Sequence, residues 1–508
     1  LDISGKTYDF STGLDPVGGA ATSAPGTYYL YIETDNTSAD FENLVASTTL
    51  PPVGDEKVLI AKITHDGANY TAQRDARFFV RDLDRKIEYS ARQGENIDAW
   101  SEGCFVTLEA AFLWLEVYRD RSAGVTDEMK ATVIIRGHHV LDNPISANIG
   151  YSLHMVGDGE SSVSTSASFS GTELFNFVAQ TANNTNPSDG IYIEGINFMN
   201  PVGSALNNII TINGSSEKVT INRCATRNLQ SFGTYLLITD NIQKQISITN
   251  CNLNSRLFFS PTPPETMLVD YCVLSSNSTV SVIRADYDHN VTITNSKISN
   301  YSALLENVGT NNSFFKISNC DFKGMTQFTE TGPINNLWMD NTSVVMNSSH
   351  QQFFGGYGAS SNFFARIQNC VFTGSTAATV VSNSFCNFST ITDVGISGCT
   401  FRNFDEFSFN DPNTILNINN CNFSTANILI RDAQSVDFHN NDVQWDDSIG
   451  NGNPRFEARF GSNIEVLRLS DNNFLQNESV LIVDISADIS ECIVKGNDFV
   501  GGSGTQIN

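Results

Sequence analysis

The sequence predicts an all-β fold whose body is a parallel β-helix, and three observations lead to this prediction. A six-residue phrase (apolar, any, Asn/Gly/Asp, small, any, apolar) occurs thirteen times between residues 193 and 499, at intervals that average about 25 residues. Its copies are rich in β-formers and turn formers, as in ITNCNL at Ile248 and INNCNF at Ile418. Charged residues make up about 26 % of residues 1–130 but about 13 % of the remainder, so the N-terminal region is expected to have a different type of structure. A short repeat of variable length that cannot bury its apolar face alone is typical of stacked coils.

Stacked coils place like residues over like residues, about 4.8 Å apart. The fourth position of the phrase is expected to form an internal column of thiols and small polar residues: Cys224, Cys251, Cys272, Ser296, Cys320, Thr342, Cys370, Cys399, Cys421, Asn441, Asn472 and Asn497. The sixth position is expected to form an aliphatic and aromatic column: Phe198, Leu253, Leu274, Ile298, Phe322, Val344, Phe372, Phe401, Phe423, Val443, Phe474 and Phe499. A leucine-rich repeat is the competing architecture, but its LxxLxL skeleton is absent.

Seven of the ten cysteines occupy the fourth-position column. One interpretation is disulfides between coils, because the coil spacing lies within the range that a disulfide spans. The other is reduced thiols packed in a core, which we favour because several of these cysteines neighbour Ser or Thr along the column. Reduced thiols fit a protein that folds in a reducing cytoplasm. There is no CxxC pair, so we predict neither a metal site nor a cofactor.

The residues before the regular repeat carry strand and helix signals. Residues 27–34 and 57–64 are predicted strands, and the densely charged stretch 74–92 is interpreted as a linker or an interface segment. Residues 105–121 are predicted to form an amphipathic helix that begins at a Thr107 cap and covers the open end of the first coil, on the spacing of Leu108, Ala111, Phe112, Leu115 and Tyr118.

Two more strands are predicted, at 132–137 and 152–157. We therefore divide the chain into a strand module at 1–98, a capping helix with the first coils at 99–160, and the β-helix proper at 161–508. The start, LDISGKTYDF, shows no signal peptide. The residues after the last coil, GGSGTQIN, leave no room for a further domain, so the binding surface is expected on the flank of the coils.

This succession of segments resembles bacteriophage tailspike and tail-fibre proteins. The residues that carry the resemblance are LPPVGDEKVLIAKI, the helix TLEAAFLWL, the first coils IIRGHHVLDNPI and LHMVGDGES, and the stacked coils that follow. The resemblance implies a right-handed, single-stranded parallel β-helix of the pectin-lyase-like type, with a small N-terminal α+β module. It also implies a homotrimer on the virion tail that attaches through its N-terminal part to other tail or baseplate proteins and binds host surface polysaccharide. Many members of this family also cleave that polysaccharide, as glycoside hydrolases or lyases.

The best local candidate for chemistry is the longest excursion from the coils, residues 439–468. Its proposed catalytic residues are Asp446, Asp447 and Glu457, because glycoside hydrolysis needs two carboxyl groups. Proposed substrate contacts are Trp445, which can stack on a sugar face, and Arg455 and Arg459, which can bind an acidic sugar. Neighbouring coils add Asp405, Glu406, Asp411 and Asp432. The alternative is a solvated loop in an acidic protein.

A second excursion, residues 350–364, holds Tyr357 as a further candidate sugar contact. It also holds two of four Phe-Phe doublets, which are Phe258-Phe259, Phe314-Phe315, Phe353-Phe354 and Phe363-Phe364. Adjacent strand residues face opposite ways, so one Phe of each doublet is expected to point outwards. Repeated outward rings exceed what a monomer usually exposes, which favours a contact between subunits over a sugar platform.

The charge of the chain excludes several classes of partner. A net charge of −26 disfavours both nucleic acid and anionic lipid, and no apolar run is long enough to span a membrane. The resemblance to tailspike and tail-fibre proteins thus implies a phage tail protein that folds in the host cytoplasm, resides in the virion tail, and attaches to the host either by binding surface polysaccharide or by binding and depolymerising it. The alternatives are a purely structural tail or baseplate component, which the lack of a clear catalytic signature favours, and an unattached polysaccharide lyase or hydrolase.

Overall fold

The computed structural model divides the chain into two compact units, Leu1–Gln230 and Ser231–Asn508. In the first 129 residues the structure describes 2–3, 6–7, 26–34, 41–47, 57–65, 70–75, 86–92, 104–105, 107–109 and 111–112. From 130 to 500 it describes all residues except 150–151, 158–159, 180–189, 201–205, 228–233, 241–242, 261–263, 277–279, 286–289, 308–313, 329–335, 348–351, 355–362, 375–383, 389–391, 405, 425–426, 445–455, 459–462, 476–482 and 486–487. The predicted boundaries at 98 and 160 stay predictions.

The N-terminal unit begins with antiparallel strands. A four-stranded sheet has the order Phe41–Ser47, Gly26–Thr34, Lys57–His65 and Tyr70–Asp75, and a two-stranded pair joins Asp2–Ile3 to Lys6–Thr7. The strands predicted at 27–34 and 57–64 are thereby confirmed. The interpretation of 74–92 as a linker is wrong for Lys86–Arg92, which forms a strand paired in parallel with Lys130–Arg136. The alternative, an interface segment, stays a prediction.

The coils of the N-terminal unit contribute strands to three parallel sheets. Sheet 1 contains Lys86–Arg92, Cys104–Phe105, Lys130–Arg136, Ser152–Gly157, Ile191–Glu194 and Ser216–Asn222. Sheet 2 contains His138–Leu141, Ser162–Thr165, Asn197–Met199 and Ala225–Arg227. Sheet 3 contains Ile145–Ile149, Glu173–Ala179 and Asn208–Asn213. The strands predicted at 132–137 and 152–157 are among them.

The predicted capping helix is described only at residues 107–109 and 111–112. Leu108, Ala111 and Phe112 are buried, as their helical spacing predicts, and the Ala111 amide donates to the Thr107 carbonyl at 3.3 Å. The Phe112 ring lies 5.8 Å from that of Phe177 in sheet 3. The apolar face of this turn therefore packs on the first coils. The predicted positions Leu115 and Tyr118 lie outside the described residues.

The C-terminal unit repeats the same three-sheet architecture. Sheet 1 contains Gln243–Thr249, Thr266–Asp270, Asn290–Thr294, Phe314–Ser318, Asn336–Asp340, Phe363–Gln368, Thr392–Ser397, Ile415–Asn419, Asn427–His439, Asn463–Ser470 and Asp488–Lys495. Sheet 2 contains Asn252–Leu253, Val273–Ser275, Lys297–Ser299, Asp321–Met325, Ser343–Met346, Val371–Thr373, Thr400–Arg402, Asn422–Ser424, Asp442–Gln444, Asn473–Leu475 and Asp498–Val500.

Sheet 3 of this unit contains Tyr235–Thr239, Arg256–Ser260, Ser281–Ala285 and Ala303–Asn307, and then Gln352–Phe354, Ser384–Phe388, Glu406–Asn410, Asn427–His439, Phe456–Ala458 and Val483–Ile485. The long strand Asn427–His439 belongs to sheet 3 by its first half and to sheet 1 by its second. Among the described residues of this unit every pairing between coils is parallel and joins successive coils, so the predicted parallel β-helix is confirmed.

Both predicted columns lie inside this solenoid. Leu253 through Phe499 pair in unbroken register along sheet 2, and the rings of Phe372, Phe401 and Phe423 stack at 5.1 and 5.0 Å. The fourth-position thiols are buried, with Cys320 and Cys421 at 3 % exposure and Cys370 at 0 %. At the last coil Asn497 and Phe499 are half-buried.

The third position of the phrase makes the turn from sheet 1 to sheet 2 with a single left-handed residue. Positive φ angles occur there throughout, from 47° at Asn341 to 68° at Gly195. Asn and Gly adopt this region at the least cost, which explains their recurrence at this position. Because one residue makes the turn, the residue after it points directly into the core.

Where the column changes from cysteine to asparagine, the side chains bond along the stack. Asn472 donates from Nδ2 to the Phe438 carbonyl at 2.8 Å, and its Oδ1 accepts from the amide of Asn441 at 2.9 Å. Asn441 makes the same pair of bonds one coil earlier, with the Ile418 carbonyl and the Cys421 amide. The buried amides are therefore satisfied, as burial of polar groups requires.

Candidate functional site

Most of the predicted site residues lie outside the described part of the chain. These are Trp445, Asp446, Asp447, Arg455 and Arg459 in the first excursion, Tyr357 in the second, and Asp405. Glu457 is described as part of the strand Phe456–Ala458 in sheet 3. Its backbone register places it beside Leu429 in the preceding coil and Asp484 in the following one.

Asp484 is a further candidate site residue, which the sequence analysis did not single out. It follows Glu457 by 27 residues, close to one repeat, so a comparison at the repeat period would have found it. Its Oδ1 atom is buried and has no hydrogen-bond partner among the residues that the structure describes. Ser408 and Leu429 occupy the same register position on the two preceding strands of sheet 3. Both side chains are buried, which shows that other parts of the chain cover this line of positions. Two carboxyl-bearing residues thus occupy adjacent register positions on a partly covered face.

Three other predicted carboxylate residues are described by the structure. Glu406 begins the strand Glu406–Asn410 of sheet 3, whereas Asp411 and Asp432 accept hydrogen bonds from backbone amides. Asp411 Oδ1 accepts from the Asn413 amide at 2.8 Å, and Asp432 Oδ1 accepts from the Asn463 amide at 2.9 Å. Both residues lie where chain passes from sheet 3 to sheet 1. These contacts give them a structural role, so they are not brought into one site with Glu457.

A second candidate is the outer face of sheet 1, where three exposed rings form what we call the aromatic strip: Phe314, Trp338 and Phe364. Their exposed fractions are 38 %, 46 % and 46 %. Phe314 and Phe364 flank Asn336 in register, and Trp338 lies between Lys316 and Arg366 one row further along the strands. The rings are therefore diagonal neighbours, a separation of about 7–8 Å that aromatic side chains bridge. Phe315, the other half of its doublet, is buried, as strand alternation predicts.

The six strands of sheet 1 that carry and flank the aromatic strip together have no net charge. Arg366 donates from both terminal nitrogens to the Asp393 carboxylate, at 2.9 Å each. Gly395 makes this geometry possible, because a Cβ there would lie 3.0 Å from the Arg366 Cδ. On the six strands from Asn290–Thr294 to Ile415–Asn419, the charges of Lys316 and Arg366 balance those of Asp340 and Asp393.

A third cluster surrounds Arg256 in sheet 3 of the C-terminal unit. Arg256 is 8 % exposed and donates to the Ser281 carbonyl at 3.0 Å and to Glu306 Oε2 at 2.5 Å. Its guanidinium carbon lies 4.4 Å from the centre of the Tyr235 ring. Arg284 lies 3.9 Å from Glu306 Oε1. The cluster connects four successive coils, because its residues lie on four consecutive strands of sheet 3. These strands are Tyr235–Thr239, Arg256–Ser260, Ser281–Ala285 and Ala303–Asn307.

The electrostatics of this cluster follow from burial and charge. Burial alone would raise the pKa of Glu306, but hydrogen bonds from Arg256 and Ser281, together with the Arg256 charge, hold it below its ordinary value. Burial raises the pKa of Tyr235, and the Arg256 charge offsets only part of that effect. Glu306 is thus an anion at neutral pH, and Tyr235 is neutral.

The thiol column has the chemistry of a core. None of the seven column cysteines forms a disulfide, which confirms the preferred interpretation of reduced thiols. Burial raises the pKa of Cys320 to about 11, and a hydrogen bond to Cys251 together with burial raises the pKa of Cys272. Thiolate is the reactive form, so Cys272 and Cys320 are poor nucleophiles at neutral pH.

Neither a metal centre nor a membrane helix is found in the residues described. His138 is exposed and bonds Ser162, whereas its neighbour His139 is buried and faces the other way. No described group of three or more His, Cys, Asp and Glu residues is arranged to hold a metal ion. Within the ranges given above, no helix is long and apolar enough to cross a membrane.

Comparison with known proteins gives one likeness of structure. No protein-family model matches the sequence, and no curated protein matches it. The chain is similar to the crystal structure of the tailspike protein gp49 from Pseudomonas phage LKA1, with 12 % sequence identity over 80 % of this chain and 76 % of that one, and a TM-score of 0.29. At that score the likeness adds nothing to the assignment of the fold, which rests on the parallel pairings of this chain.

Proposed function

We propose that this protein is a phage tail protein of the tailspike or tail-fibre type, and that its β-helix binds and cleaves polysaccharide on the surface of the host bacterium. The observation that carries the enzymatic part is the register of Glu457 with Asp484 on adjacent coils of sheet 3. Adjacent strands place their Cα atoms about 4.8 Å apart, and the carboxyl groups of retaining glycosidases are about 5–5.5 Å apart. One carboxyl group would protonate the leaving oxygen while the other attacks the sugar.

The proposal extends to the residues predicted around this pair. Trp445, Arg455 and Arg459 supply sugar contacts in it, with Asp446 and Asp447 as the alternative carboxylates and Tyr357 as a more distant contact. The chain functions as a homotrimer on the virion tail, attached to other tail proteins through residues 1–98. Folding in the host cytoplasm is supported by the seven reduced thiols, which an oxidising compartment would not favour.

The test uses polysaccharide purified from the bacterium that the phage infects. Wild-type protein is expected to release new reducing ends, and Glu457→Gln and Asp484→Asn are each expected to lower that rate at least 100-fold while binding persists. Asp498→Asn, the same isosteric change on an exposed residue of sheet 2, is the matched control and is expected to be fully active. If the products are instead unsaturated and absorb in the ultraviolet, the enzyme is a lyase and not a hydrolase.

The structural tail component is the second candidate function. It is favoured by the extent of the buried columns, which give rigidity and no chemistry. If the wild-type protein neither binds nor cleaves the host polysaccharide, this second function stands and the first is rejected. If it binds without cleaving, the protein is an adhesin and the Glu457–Asp484 assignment is wrong.

A further inference from the structure

From the outer face of sheet 1 we infer that the aromatic strip, Phe314, Trp338 and Phe364, is the surface on which a second copy of this chain docks. The proposed homotrimer fixes the number of copies but not the surface through which they contact each other. This inference rests on that assembly and does not depend on polysaccharide binding.

The first argument is the amount of apolar surface left in water. A Phe or Trp side chain buries roughly 150–250 Å² when fully covered, so three rings exposed by 38–46 % leave about 250 Å² of aromatic surface on one face of sheet 1. Ile415, 43 % exposed, lies on the same row beyond Asp393 and adds apolar surface to this face. The largest apolar patch on a typical monomer is about 300–600 Å² and is often functional, so this face approaches the size of an interaction surface. This area would form the centre of a contact that needs about 800 Å² from each partner, with polar residues of the same face as its rim.

The second argument is charge. The chain carries −26, so two copies repel each other over most surfaces that they can present. The six strands around the aromatic strip carry no net charge, because Lys316 and Arg366 balance Asp340 and Asp393. Like-charge contacts disfavour wrong partners, and a neutral apolar face is where an acidic chain meets itself at least cost.

The third argument is shape. The bidentate bond to Asp393 holds the Arg366 side chain across Gly395 and against the sheet, so it does not stand up from the surface. The rings on either side of it lie on strands one coil apart. With the guanidinium held against the sheet in this way, the same face of a second copy can approach the rings. A lone sugar chain, by contrast, is usually held in a concave site.

The experiment measures mass by light scattering on the full-length chain. Wild type is expected at about three times 55.5 kDa. Phe364→Lys, which adds a charge at a position exposed in the single chain, is expected to lower the mass about threefold while leaving the far-ultraviolet circular dichroism unchanged. Trp338→Glu is the second variant and is expected to do the same. Val273→Lys, at a 44 % exposed site on sheet 2, is the matched control and is expected to keep the wild-type mass.

The outcomes separate this inference from the proposals it accompanies. A wild-type mass of 55.5 kDa rejects the homotrimer and the inference together, while leaving polysaccharide binding intact. A wild-type assembly that survives both strip substitutions rejects the inference alone. If those variants keep their mass but lose binding to the host polysaccharide, the aromatic strip is a sugar site and the inference is overturned.

Discussion

The Phe401→Ala substitution tests whether the aromatic column holds the coils together. Phe401 is fully buried, and its ring lies 5.1 Å from Phe372, 5.0 Å from Phe423 and 4.9 Å from Phe407. Loss of the ring removes about 2–3 kcal/mol of transfer free energy. The cavity adds about 24 cal/mol per Å³, or about 2 kcal/mol for a void on the order of 100 Å³. We therefore expect the free energy of unfolding to fall by about 5 kcal/mol.

The assay is urea unfolding of the full chain, followed by hydrogen exchange in the native state. The amides of Thr400 and Asn422 bond to the carbonyls of Cys370 and Cys399, so their exchange reports on the coils around the missing ring. Both are expected to exchange faster, because each coil is stabilised mainly by its neighbours. Val273→Ala, at an exposed position outside the aromatic strip, is the control and is expected to cost less than about 1 kcal/mol. A loss below about 2 kcal/mol at Phe401, with unchanged exchange, would refute the reasoning.

Three further predictions concern the column and the charged cluster. Asn472→Leu leaves the buried amide of Asn441 without its acceptor and the Phe438 carbonyl without its donor, so it is expected to cost about 2–4 kcal/mol in urea unfolding. Asn472→Cys, the residue of the earlier coils, is expected to cost less, and equal losses would contradict the bonding described. The folded-state pKa of Glu306 lies below its unfolded value, so its stabilising contribution is present at neutral pH and is lost as the pH falls below about 4.5. Thermal melts should therefore show a steeper loss for wild type than for Glu306→Gln between about pH 5 and 3, and parallel curves would disprove this. A thiol reagent at pH 8 should label Cys492, which is exposed, and none of the seven column thiols until the protein is unfolded.

The interior of this protein was predictable from sequence because its columns repeat. The burial of Cys320 and Phe401 follows from one phrase found thirteen times, and strand alternation alone predicts that Phe315 turns inwards while Phe314 does not. The outer faces carry no such signal. Trp338 lies near Phe314 and Phe364 only because of the register between coils of unequal length. That register depends on backbone pairing, which the sequence does not show.

The candidate site was harder to predict from the sequence, for a related reason. Asp484 follows Glu457 at close to the repeat period, but it lies in sheet 3, where the spacing from the phrase varies with each excursion. The role of Asn at the third position also needed the backbone angles, because sequence shows a preference for Asn or Gly without showing which turn requires it. Periodic, buried positions are thus recoverable from one sequence, whereas positions set by loop length are not.

The single left-handed residue that ends each strand of sheet 1 also bears on how this gene can change. The distance from Asn319 to Asn341 is one repeat of 22 residues. Both ends have the same left-handed backbone conformation and donate an equivalent backbone hydrogen bond to the next coil. Duplication or removal of such a segment rejoins equivalent points, so the flanking strands find partners as before. Recombination can therefore adjust the reach of this part of the molecule, or import coils that carry new outward side chains, without the invention of a new fold.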